Sequence, residues 1–423
     1  MKNRQAFRLL LAANAISGFA QGISMLSIPW YFGSVLNQSS LFNLSAGIIT
    51  IATIFWSLYA GTLIDKYPRK KVFLAINVCG GLMLCSVAAA GYIHGSLSPG
   101  LVLFVFAGTL FIYSIYFPSL YAFGQEITEK ENYGRMNSKL EIQAQATSML
   151  AGAVGAVLLS GTKDQAINLL GLTIPLGFDV AKWQMHDIFL FDGCTYFLSL
   201  ALIAAIRYTP ALETHTEQGT VIARIKSGFS FLKAHPDLFW FGNASYAVFV
   251  VLMVEVHLLL SPYVSRHLMA APFVYTSAEI WYAIGALFAG IAIRRLFKSM
   301  HTVRAVVVMM LVTTLGLFVT AFTRSVAWFF AFSAIIGVTN AGIRILRMTY
   351  LYKHIPNNII GRASSAFNMI NVFLRAVLSF VFAIPFFTEG NHVIYAYFAG
   401  GCFVLLWAIP ILVRFKKLTG SDG

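Results

Sequence analysis

The chain has 423 residues, of which 58% are Ala, Val, Ile, Leu, Met, Phe, Trp, Tyr or Cys and only 11% are charged, against roughly 25% charged in a soluble domain. Too few charges remain to solvate a water-facing surface, which excludes a disordered chain and argues against a soluble enzyme. The composition predicts an all-α polytopic membrane protein, and the net charge of +14 leaves nucleic-acid binding open only until the cations are located.

A membrane-crossing helix needs about 20 apolar residues. Twelve such stretches follow one another, at 7–34, 43–64, 72–93, 101–125, 137–160, 187–206, 238–261, 277–297, 302–322, 326–351, 363–386 and 392–413. The first opens basic and then apolar, like a signal peptide. It has no small-residue cleavage site and runs on too long, so it is read as a retained span. Two connections are long, 161–186 and 207–237. The second is the most polar stretch of the chain. Within it, Val221–Leu232 alternates apolar and basic residues at helical spacing, which predicts a short amphipathic helix on the membrane surface. The chain therefore divides into a six-helix half at 1–206, a cytoplasmic linker at 207–237 and a second six-helix half at 238–423.

With the N-terminus inside, 23 of the 30 Lys and Arg residues lie in cytoplasmic tails and loops. Four lie outside (Lys163, Lys182, Arg266, Arg324) and three within spans (Arg344, Arg347, Arg375). This asymmetry places both termini in the cytoplasm and accounts for the charge without nucleic acid. Cys79, Cys85, Cys194 and Cys402 sit singly in apolar runs, so neither a disulfide framework nor a metal site is expected. The sequence has no P-loop and no H-E-x-x-H pattern, and no cofactor or catalytic constellation is expected.

The chain carries an internal repeat. Gly134-Arg135-Met136-Asn137-Ser138 opens the fifth span, and Gly361-Arg362-Ala363-Ser364-Ser365 opens the eleventh. Two duplicated six-helix halves are the architecture of a rocking secondary transporter. The loop after the second span, Gly61-Thr62-Leu63-Ile64-Asp65-Lys66-Tyr67-Pro68-Arg69-Lys70-Lys71, resembles the G-x-x-x-D-R/K-x-G-R-K/R signature of the major facilitator superfamily, with Pro68 where that family usually has Gly. The bland reading is a basic cytoplasmic turn. In the second half the equivalent, Gly290 to Arg295, has Arg294 in place of the acid. The first-span sequence, the sixth-span run LFDGCTYFLSLAL and the linker run GFSFLKAHPDL are similar to the macrolide-efflux and enterobactin-exporter branch. Asp192 is the most specific match. Ala151-Gly152-Ala153-Val154-Gly155-Ala156 keeps a small-residue packing face but lacks the proline of the drug antiporters' fifth-helix motif. The resemblance implies conformational gating by Gly61, Asp65, Arg69, Arg135 and Arg362.

Ionisable residues in hydrocarbon are costly and mark interiors or ion paths. Arg375 lies about midway along the eleventh span, and Arg344 and Arg347 share a face of the tenth. Each is a substrate-binding candidate, with a structural ion pair or headgroup snorkelling as the alternative. Asn14 and Gln21 share a face of the first span. Together with Tyr113, Tyr116 and Asn371 they are expected to form a polar, aromatic pocket, and Gln145 to line the cavity. Glu141, Asp192, Glu255 and His257 are the proton-coupling candidates, each with a bracing or pairing role as its alternative.

These features lead to an expected monomeric secondary transporter in a bacterial inner membrane, with protons, lipids and a small molecule as its partners. Three intramembrane Arg residues favour an anionic substrate, polycarboxylate or siderophore-like. Multidrug or macrolide efflux is the alternative. A non-transporting receptor or lipid-handling protein on the same scaffold is the second.

Overall fold

The computed structural model describes residues 4–129, 132–162, 166–169, 172–175, 177–207, 221–297 and 300–420. Twelve helical segments among them are long and apolar enough to cross a membrane. In the first half the helices are α1 (Arg4–Trp30), α2 (Ser39–Lys66), α3 (Arg69–His94), α4 (Pro99–Glu126), α5 (Tyr133–Ser160) and α6 (Met185–Ala204). The loop between α5 and α6 holds a two-stranded antiparallel hairpin, β1 (Ala166–Leu169) and β2 (Leu172–Pro175), paired from Ala166 with Pro175 to Leu169 with Leu172. The sequence reading did not anticipate it.

The amphipathic linker helix is α7 (Val221–Ala234). The seventh span is broken into α8 (Pro236–Ala244), α9 (Ala247–Val254), a π-turn at Glu255–Leu259, α10 (Leu260–Pro262) and a second π-turn at Tyr263–His267. Then come α11 (Pro272–Leu296), α12 (Thr302–Phe322), α13 (Val326–His354), α14 (Asn357–Phe382), α15 (Pro385–Thr388), α16 (Val393–Val413) and α17 (Phe415–Gly420).

Local chemistry sets the ends of these helices. Ser98 caps α4 by accepting from the Leu101 amide, with Pro99 at the first helical position, where its missing N–H costs nothing. Ser325 caps α13 through the Trp328 amide in the same way. Gly95 ends α3 in the left-handed region at φ 73°, a conformation open to glycine without strain.

The chain forms two compact units. The first is Met1–Asn37, Ala52–Glu217 and Pro272–Ile280; the second is Gln38–Ile51, Gln218–Ala271 and Trp281–Gly423. Two helices are thus shared: the start of α2 packs in the second unit and the start of α11 in the first. In the first unit an apolar core runs through Phe7, Leu10, Phe73, Ile76, Leu120, Phe123 and Met136. Within a bilayer, lipid competes for apolar surface, so close packing of small residues holds helices together instead. In the second unit, Gly285 of α11 and Gly337 of α13 let the two backbones meet. A Cβ at Gly285 would lie 2.0 Å from the Ala334 carbonyl oxygen, and one at Gly337 would lie 2.2 Å from that of Tyr282.

Candidate functional site

In the first unit the polar residues of α1 face α4 and α6. Tyr116 Oη donates to Asn14 Oδ1 at 2.7 Å, and Gln21 Nε2 donates to Tyr196 Oη at 2.7 Å. Two turns into α6, Asp192 is only 1% exposed, and both its carboxylate oxygens are buried without a hydrogen-bond partner. The Ser24 hydroxyl lies beside it without closing a bond. Tyr113 and Tyr196 are near enough for their charge states to couple to that of Asp192. Among the described residues no cation pairs with it. Gln145 is half-buried on α5. Asn371, grouped with these residues at the sequence level, belongs to the second unit.

The second unit gathers the cations. The Arg347 guanidinium lies 3.5 Å from the centroid of Tyr246 and donates through Nη1 to the Ser245 carbonyl at 3.1 Å. Arg375 sits 5.9 Å from the Phe249 ring centroid, and Tyr246 and Phe249 are 6.4 Å apart. Phe367, two turns before Arg375 on α14, adds a third ring at 6.5 Å from Tyr246. Asn371 lies one turn from Arg375, 2% exposed. Arg347 Nε, Arg375 Nε and both polar atoms of the Asn371 amide are buried with no partner among the described residues.

Arg344 does not share this environment: it is exposed where Arg347 is 5% exposed, because three residues of helix turn carry it to the edge of the face. Glu255 and His257 both sit on the first π-turn but look different ways. Glu255 accepts from Tyr397 Oη at 3.1 Å. His257 donates through Nδ1 to the Met253 carbonyl at 2.8 Å and lies within electrostatic reach of Arg375.

At the α3 end of the signature loop, Arg69 Nε pairs with Glu126 Oε1 of α4 at 3.6 Å. Arg362 Nη1 reaches Ser227 Oγ of the linker helix at 3.4 Å. There Gly228 abuts the Arg362 backbone, whose carbonyl oxygen would lie 2.2 Å from an added Cβ. The surroundings of Gly61 and the side chains of Asp65, Arg135 and Glu141 lie outside the described residues. Arg266 was expected in an outer loop. It lies within the second π-turn, one residue before its end, and donates to the Thr388 carbonyl. The sequence reading missed Glu126 and Glu279. The former ends α4, and the latter accepts from Ser148 of α5. Pro272 carried the available signal for Glu279, since a proline so placed opens a helix and sets Glu279 two turns inside it.

Buried, partly unsatisfied polar groups set in membrane-spanning helices mark candidate functional positions. The model of the Major Facilitator Superfamily matches residues 10–379. The chain belongs to that superfamily, and it is a multi-pass secondary transporter, not an enzyme.

It is 25% identical over 384 residues to the enterobactin exporter EntS of Escherichia coli, covering 88% of this chain and 83% of that protein. The figures are the same for EntS of Shigella boydii serotype 4. Among solved structures it is similar to the nucleoside transporter NupG (TM-score 0.70, 11% identity, 97% of this chain and 99% of that one). It is also similar to a bacterial homologue of the iron transporter ferroportin (0.68, 17%, 99% and 100%) and to a D-xylose-proton symporter (0.70, 13%, 97% of each). At these identities the structural likeness is one of fold.

Proposed function

We propose that the protein moves a small anionic organic solute, of the polycarboxylate or siderophore kind, across a bacterial inner membrane by alternating access. A proton is the coupling ion and both termini are cytoplasmic. The halves 1–206 and 238–423, joined by the linker 207–237, are the bodies that move.

One observation carries the choice of an anion: Arg347 Nε, Arg375 Nε and the Asn371 amide are buried and unpartnered beside the rings of Tyr246 and Phe249. Each unmade bond costs roughly 1–3 kcal/mol, more where the donor is charged. A carboxylate recovers that cost, because its two oxygens match the guanidinium fork. A lipophilic cation meets like charge instead. Asn14, Gln21, Tyr113, Tyr116 and Gln145 supply neutral polar contacts in the first unit. Asp192 is the leading proton carrier, since a buried carboxyl without a cation costs less when it holds its proton. Glu255 and His257 are further candidates. The likeness to a siderophore exporter supports outward movement.

Binding to purified protein tests this. Citrate, a citrate-type siderophore and a lipophilic cationic dye are each titrated while thermal unfolding is followed. The anions are expected to raise the midpoint in the wild type and not in Arg347→Ala or Arg375→Ala. Stabilisation by the dye alone, unchanged in Arg375→Ala, would overturn the anion reading in favour of multidrug efflux.

A further inference from the structure

α11 crosses from one compact unit to the other between Ile280 and Trp281. Its first two turns, Pro272–Ile280, pack against α1 and α5 in the first unit. Tyr275 Oη donates to the Leu26 carbonyl at 2.8 Å, and its ring lies 5.2 Å from that of Trp30. Gly152 of α5 faces Thr276, Glu279 and Ile280 so closely that a Cβ there would come within 2.9 Å of the Thr276 carbonyl oxygen. At this junction Glu279, half-buried, accepts a hydrogen bond from Ser148 Oγ.

In the sequence, the titratable residues of α1 (Arg4, Arg8) and α5 (Tyr133, Arg135, Lys139, Glu141) are all at least seven positions from the packed residues Leu26, Ser148 and Gly152. Tyr275, on the same helix, is the titratable group whose charge couples to Glu279. Among the described residues no cation pairs with it.

We propose that Glu279 is a proton-carrying residue of the transport cycle: its neutral form, closed off from water between the two helices, lets the start of α11 stay packed on α5, and proton loss, which needs water at the carboxyl, opens that packing. The proposal rests on the reading of proton-coupled transport and names a second carrier beside Asp192. A carboxylate wedged between α5 and α11 would have a single hydroxyl donor and no cation. Separation of the helices lets water reach the carboxyl and take the proton. Protonation and helix contact are then linked, and the contact weakens by up to about tenfold per pH unit once the group titrates.

The test uses the full chain in lipid nanodiscs and needs no substrate. Carboxyl C=O stretching is followed by infrared spectroscopy across a pH titration. Amide hydrogen exchange of 142–160 and 272–280 is compared with that of variants at the same pH, so that intrinsic exchange cancels. Glu279→Gln, which keeps an acceptor for Ser148, is expected to lose one titrating carboxyl band and to stay protected at alkaline pH, while the wild type opens. Ser148→Ala is expected to keep the band and to move its titration midpoint. If Glu279→Gln keeps the full set of bands and opens with pH like the wild type, Glu279 is not a carrier. A pH response lost only in Asp192→Asn overturns this assignment and leaves proton coupling standing. A wild type without any pH response removes both.

Discussion

Gly285→Ala should break a close contact between α11 and α13, and Gly290→Ala on the same helix provides its control. At Gly285 the new methyl would stand 2.0 Å from the Ala334 carbonyl oxygen and 3.1 Å from the Ala334 Cα. Carbon–oxygen contacts between helices settle at about 3.3–3.6 Å. The obstacle is backbone, with no flexible side chain to swing aside, so α11 and α13 must part by more than 1 Å. Asn340 Nδ2 donates to Tyr282 Oη across the same seam at 2.9 Å and would be stretched with it. Overpacking of this kind costs roughly 1–3 kcal/mol. At Gly290 nothing lies within 4 Å of the added methyl. There the gain in helix propensity, up to about 1 kcal/mol, acts alone. Thermal unfolding in detergent, followed by tryptophan fluorescence, should place Gly285→Ala below the wild type and Gly290→Ala level with it or above. Equal midpoints for the two variants would refute the reasoning, because helix propensity alone treats them alike.

Other outcomes follow from the same geometry. Arg375→Ala should weaken binding of a polycarboxylate by about 30-fold or more, and Arg375→Lys should restore only part of it, since an ammonium lacks the planar fork; isothermal titration measures both. A double-mutant cycle on Asn14→Leu and Tyr116→Phe should return a coupling of about 0.6 kcal/mol, the usual worth of a hydrogen bond between membrane helices; unfolding midpoints of the four proteins give it. Gly228→Val should lift the linker helix from α14, because the Arg362 carbonyl occupies the space a side chain would need. Faster proteolysis within 221–234, with the membrane helices intact, is the expected sign.

The twelve spans were legible because a bilayer demands a fixed length of apolar chain from each. Their ends were less so. Helices such as α5 and α14 begin a turn or more before the apolar run, in polar residues that periodicity does not mark. The π-turns of the seventh span were invisible, since a wider backbone turn leaves no mark in residue type. They carry the helix on to His267 and bring Arg266 into it. Spacing placed Asn14 and Gln21 on one face but could not name their partners, which lie more than 100 residues away. Treating Arg344 and Arg347 as one face also failed to separate them, because a three-residue step leaves the two about 60° apart round the helix, enough to put Arg344 at the edge of that face. Glu279 went unnoticed because the eighth span was begun at 277, which left the acid at a boundary where charge is ordinary.

The placement of charge supports a transport role more strongly than the count of helices does. Asp192 and Glu279 belong to the first unit, and Arg347 and Arg375 to the second. None of the four forms an ion pair among the described residues. A scaffold under selection for stability alone would neutralise such groups or replace them with apolar ones, a change that is often stabilising. Each charge held in a membrane helix instead costs roughly 2.5–3.5 kcal/mol on insertion scales. Such a cost is tolerable if mobile species complete the groups, a proton on each acid and an anion on a guanidinium. A fixed ion pair would satisfy the same atoms permanently and leave nothing for a solute to do. On this reasoning the unsatisfied atoms themselves are the working parts. A variant that pairs Arg375 internally, for instance Leu378→Glu one helical turn on where it folds, should therefore be more stable without ligand and bind polycarboxylates less tightly. A gain in both stability and affinity would contradict the argument.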